Sequence, residues 1–147
     1  MKLVAHYDDQ AVRAHVLACA ELLAACEFER VGAEFGFALA FDRPRSECIR
    51  EAISSYRSEQ FFPGEREFQV TDWRVAVGGN PAPKSKLTWY KPSALPRGVF
   101  EFDLPLNGRW SDLLAEFVLF ESSEQPGQFV VSLEDISSPN GARGSVA

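Results

Sequence analysis

The chain has 147 residues, 46% of them hydrophobic and 24% charged, with a net charge of −6; this suits one folded domain with a real core. No apolar run is long enough to span a bilayer, and the acidic balance argues against a nucleic-acid partner. The opening "MKLVAHYDDQ" lacks the continuous apolar stretch of a secretory leader, so a cytoplasmic protein is expected, with Cys19, Cys26 and Cys48 as reduced thiols.

The first element reads as a helix. Asp8 or Asp9 caps it, and Val12, Val16, Cys19, Leu22, Leu23 and Cys26 recur at spacings of three and four on one stripe. Cys19 and Cys26 then serve as small buried hydrophobes. His15 lies on the same helix, but no compact Cys/His cluster forms and no metal is expected. "CEFERVGAEFGFALAF" reads as a short helical turn followed by an extended or irregular piece. "DRPRSECIREAISSY" is a second clear helix, with Asp42 as cap, Pro44 in the first turn and Ile49, Ala52, Ile53 and Tyr56 on one face. Pro63-Gly64 then turns the chain.

From there the period becomes two. Phe68 and Val70 share one parity and Trp73, Val75 and Val77 the other, which implies a bulge or kink near Asp72. "GGNPAPKSK" is a loop, and "LTWYK" a short strand whose neighbouring prolines place it at a sheet edge. "VFEFDLPL" alternates, and Asn107-Gly108 is a two-residue hairpin signal because both positions tolerate positive φ. "DLLAEFVLF" is therefore the returning strand, with a helix starting at Ser111 as the alternative. Pro126-Gly127 reverses the chain again into "QFVVSLEDI". Helices first and a three-strand meander last define an α+β domain over 1–136, with N-terminal helices packed on an antiparallel sheet and a flexible tail over 137–147.

The sequence carries little that resembles catalytic machinery. His6 and His15 are the two histidines, and no nucleophile elbow, phosphate loop or dinucleotide fingerprint accompanies them. No catalytic residue and no cofactor is assigned. Glu134 and Asp135 are adjacent on a strand, so alternation points them to opposite faces. Asp112 follows a turn beside Trp110, where its role is to fix the strand entry. Trp73, Trp89, Tyr90 and Trp110, with Asp112 as the polar group, would line a ligand pocket if the sheet curled around them; otherwise they close the ends of the core.

Charge is more telling. Val99 to Ile136 holds eight acids and one base, Arg109, a local net of −7, whereas Trp73 to Arg97 holds five bases and no acid. With Phe100, Phe102, Leu113, Phe117, Phe129, Val131 and Leu133 turned inward, the other parity carries Glu101, Asp103, Glu116 and Glu134 among Leu114, Val118, Phe120 and Val130. Carboxylates interleaved with apolar side chains suit a protein-binding patch; another element of the chain or a second copy of it covering the face is the alternative.

The stretch from Ile49 to Ile136, through "AISSY", "FFPG", "GRWSDLLAEF" and "FVVSLEDIS", resembles a family of small bacterial α+β proteins without assigned activity. In that family Ser-Asp-Leu opens the penultimate strand and a Leu-x-Asp-Ile strand closes the domain. The insertion "GGNPAPKSKLTWYKPSALPRG" departs from its pattern. The family brings no catalytic residues. Its small acidic members are similar in type to cytoplasmic immunity proteins, which cover the active site of a basic toxin. The expectation is a non-enzymatic binding protein of that type with a basic protein partner, against a ligand-binding or enzymatic cone-shaped domain and a self-associating structural protein.

Overall fold

The computed structural model describes residues 2–5 and 8–139. Three helices, α1 (Asp9–Ala24), α2 (Phe28–Phe35) and α3 (Arg45–Ser54), precede most of the strands. The strands are β1 (Lys2–Ala5), β2 (Ser85–Trp89), β3 (Gly98–Leu106), β4 (Arg109–Glu121) and β5 (Gln128–Ser137). All pair antiparallel in the order β1-β5-β4-β3-β2, an α+β architecture.

The Asp8 carboxylate accepts from the Ala11 amide at 3.1 Å and caps α1. Val12, Val16, Cys19, Ala20 and Leu23 form its buried stripe. Against it and α2 lie Phe100, Phe102, Phe117, Phe129, Val131 and Leu133, all core residues of the meander as the alternation predicts. Phe35 of α2 meets Phe117 edge to face. The hairpin turns at Asn107-Gly108, with φ of 52° and 81°, the twist that a two-residue connection between strands requires. β4 is extended through Leu113 and Phe120, so no helix starts at Ser111.

Several elements differ from expectation. β1 is four residues long, too short to show a period, and is fixed by pairing Lys2 to Ala5 against Val131 to Gln128. Trp73–Val75 is a 3-10 turn, opened by the Asp72 carboxylate accepting from the Arg74 amide at 2.9 Å, and not a strand. The chain from Thr71 to Asn80 runs round the hairpin tip instead, its amides donating from Thr71 to Pro105 O, Val77 to Gly108 O and Asn80 to Trp110 O. Gly79 makes this approach possible: a Cβ there would stand 2.2 Å from the Trp110 carbonyl. Pro44, not Asp42, is the cap residue of α3. Cys26 lies just past α1 at φ 58° and is exposed, off the apolar stripe. Ser137 belongs to β5 and residues 137–139 are described, so the predicted tail from 140 on lies outside the described residues.

Candidate protein-binding face

The turned-out face of the meander is shaped by two irregularities. Between β3 and β4, Asp103 stands opposite Leu114 and Pro105 opposite Trp110. Leu104 alone thus faces Ser111, Asp112 and Leu113. The Ser111 hydroxyl serves this wide bulge from both sides, donating to Leu104 O at 2.6 Å and accepting from the Leu113 amide at 2.9 Å. Asp112 is projected away from it and accepts from the Tyr56 hydroxyl at 2.6 Å, tying α3's end to β4. Burial and the neighbouring carboxylate hold the Tyr56 phenol well above its ordinary range. Ser-Asp is structural here, and its partner Tyr56 could not be read from the sequence.

Between β4 and β5, Glu116 stands opposite Asp135 and Phe117 opposite Leu133, so Glu134 is the extra residue of a bulge. The strict alternation expected of Glu134 and Asp135 breaks there. Asp135 comes into line with Glu116, which in turn pairs with Glu101. Three carboxylates therefore stand in one row across three adjacent strands. Burial first, then Glu101, Asp135 and Glu134, push the Glu116 carboxyl above the usual carboxylate range. Lys84 lies 3.7 Å from Glu101 at one end of the row. Among the described residues no lysine or arginine comes within ion-pair distance of Glu116 or Glu134, and no group of three or more His, Cys, Asp and Glu is arranged to hold a metal.

Beside this row the register sets Val99 against Val118, and Phe120 against Val130, which faces Leu3 on β1. Phe120 is 41% exposed, whereas Val118 is covered to 6%. Leu114 is half-buried beside Ser137. Glu101, Glu116, Leu114 and Phe120 are thus exposed or half-buried on one face as expected; Val118 and Asp135, which the bulge brings into line, lie on the same face but are buried at 6% and 9% exposure.

Asp103 does not join them as a contact surface. It is 5% exposed, accepts from the Lys84 amide at 2.7 Å and from Asn80 at 3.3 Å, and anchors the loop before β2. Burial raises its carboxyl's pKa, against the lowering effect of that amide bond. The charge asymmetry is also partly internal. β2 comes from the basic stretch and lays Lys86 opposite Glu101, and Arg97 pairs with Glu121 at 3.3 Å.

The predicted aromatic pocket does not assemble. Trp73 lies under its neighbour Arg74, Trp110 packs on Phe102, and Trp89 donates from its indole to Asp9 at 2.8 Å while its ring meets Phe129. Tyr90 is exposed at 39%, and Asp112 is committed to Tyr56. Trp73, Trp89 and Trp110 pack against the edge of the core, and Tyr90 does not.

No helix among the described residues is long and apolar enough to cross a membrane. Comparisons with protein-family models, with curated proteins and with solved structures find no match to this chain.

Proposed function

We propose that the chain is a non-enzymatic binding protein of immunity type, neutralising a basic toxin through the outer face of β3, β4 and β5. The observation that carries this reading is the row Glu101–Glu116–Asp135, with Glu134 beside it and, among the described residues, no lysine or arginine within ion-pair distance of Glu116. Like charges directly opposite one another destabilise a sheet. A lysine or arginine delivered by a partner would relieve that repulsion, and Phe120 and Leu114 alongside would supply apolar contact.

The test is rescue of growth. Cells expressing a basic toxin encoded next to the gene for this chain should survive when the chain is co-expressed. A Glu101→Lys, Glu116→Lys double variant, folded to the same content, should fail to protect. Full protection by the double variant would overturn the assignment of the face, and a neighbouring gene without toxicity would overturn the immunity reading.

A further inference from the structure

Asn107-Gly108 carries a chemistry that its role as a turn does not use. In an Asn-Gly pair the glycine nitrogen can attack the neighbouring carboxamide, because no Cβ crowds the approach. The Gly108 N–H gives its proton to solvent base, its nitrogen bonds to Cγ of Asn107, the Cγ–Nδ2 bond breaks and ammonia leaves. Water then opens the five-membered ring. Attack at Cγ leaves an aspartate; attack at the backbone carbonyl leaves an isoaspartate, with one extra carbon in the main chain. The balance is one water in and one ammonia out, and Asn107 is exposed to solvent. Asn80 precedes Pro81, whose nitrogen has no proton to give.

The fold holds both reacting groups. The Gly108 amide donates to the Thr71 hydroxyl at 2.9 Å. The Asn107 carboxamide accepts from the Gln69 amide at 3.1 Å and donates to the Glu65 carboxylate at 3.2 Å and to Glu67 O at 3.0 Å. All four partners belong to the segment 65–71, which the Asn107 amide also joins by donating to Gln69 O at 3.0 Å. The carboxamide cannot swing onto the Gly108 nitrogen, nor that nitrogen release its proton to solvent, until these bonds open. The same contacts set the consequence. Conversion replaces a donor with a carboxylate oxygen that faces two acceptors, one of them the charged Glu65, and like charges at that spacing repel.

We propose that Asn107-Gly108 is a site of spontaneous conversion to aspartate and isoaspartate, which the segment 65–71 holds back and which releases that segment once it has occurred. The site stands apart from the toxin-binding reading.

The test incubates the full chain at mildly alkaline pH, folded and in guanidinium chloride, and follows the Asn107 peptide by mass spectrometry. Peptide mapping separates it from Asn140-Gly141, a second Asn-Gly pair outside the described residues. Conversion should be slower in the folded chain by on the order of ten-fold or more, because it waits for local opening. Thr71→Val should speed the folded-state conversion several-fold and leave the rate in guanidinium unchanged. If Thr71→Val no longer melts cooperatively, Glu65→Ala takes its place. Val16→Ala, which loosens the core at a buried position of α1, should not speed conversion. Asn107→Asp, the normal-backbone product, should speed amide exchange at Gly108 several-fold. No conversion at Asn107 even in guanidinium would overturn the site. Equal folded and unfolded rates, a folded rate that the segment variants leave unchanged, or equal acceleration by Val16→Ala would overturn the restraint by the segment 65–71. Unchanged exchange in Asn107→Asp would overturn the release.

Discussion

The tip of the β3–β4 hairpin and the middle of the same two strands treat polar side chains in opposite ways. At the tip, each one has been given a partner. Ser111 bridges the bulge, Asp112 takes the Tyr56 hydroxyl, and the Asn107 side chain donates to Glu67 O at 3.0 Å and accepts from the Gln69 amide at 3.1 Å. Arg109 pairs with Glu65, whose carboxyl is held below the usual range by Arg109 and Asn107. A few residues along β4, Glu116 stands between Glu101 and Asp135, with its carboxyl pushed upward and, among the described residues, no lysine or arginine within ion-pair distance. Polar groups that build a fold are satisfied by it. Groups left in repulsion across a sheet are the ones to examine for a partner outside the chain.

Removing satisfied groups at the tip should be the most damaging change. Ser111 is fully buried, and Ser111→Ala strips the Leu104 carbonyl of the hydroxyl that donates to it and leaves the Leu113 amide without its acceptor. We expect a loss of about 2 kcal/mol or more in urea unfolding, the cost of leaving buried groups unpaired. A loss under about 0.5 kcal/mol, the scale of an ordinary surface change, would contradict the role of Ser111 in the bulge. Tyr56→Phe should cost less, about 1–2 kcal/mol, because Asp112 is half-exposed and water can replace the phenol. Gly108→Val should cost on the order of 1 kcal/mol, since a β-branched residue resists φ of 81°.

The mid-strand row should respond with the opposite sign. Glu116→Gln removes a charge from between two others and should stabilise the fold at neutral pH by about 0.5 kcal/mol. Because the folded-state pKa of Glu116 is raised, its proton is held more tightly in the folded state. The stability this gives is complete below the ordinary carboxylate pKa and is lost as pH rises through the raised value. The advantage of Glu116→Gln should therefore shrink to nothing on acidification, which thermal melts from pH 7 to pH 4 will check. A variant less stable than wild type at pH 7 would mean that Glu116 is satisfied within the fold.

Most of the architecture was legible because it is written in local signals. Asp8 before an apolar stripe, Asn107-Gly108 between alternating runs and Pro126-Gly127 each act over a few residues. What could not be read depends on partners distant in sequence. The 68–77 stretch has strand-like alternation but wraps the hairpin tip, because Gly78, Gly79 and the free carbonyls of Gly108 and Trp110 offer it a better path. Asp103 looked like a surface acid by parity, yet Lys84 and Asn80 claim it. The Glu134 bulge, invisible in a run of alternating residues, brought Asp135 into the row. Inward and outward faces were thus predictable from the period of two, while the site's membership depended on two register shifts that no local pattern encodes.

The most direct test of the acidic face is the association rate of the chain with the basic toxin proposed as its partner, measured by stopped-flow at increasing ionic strength. Wild type should associate fast at low salt and slow steeply as salt is added, because steering is electrostatic. Glu101→Lys, Glu116→Lys should associate several-fold more slowly at low salt, with a much flatter salt dependence. Equal rates and equal salt dependence for the two proteins would contradict the claim that this row of carboxylates receives the partner.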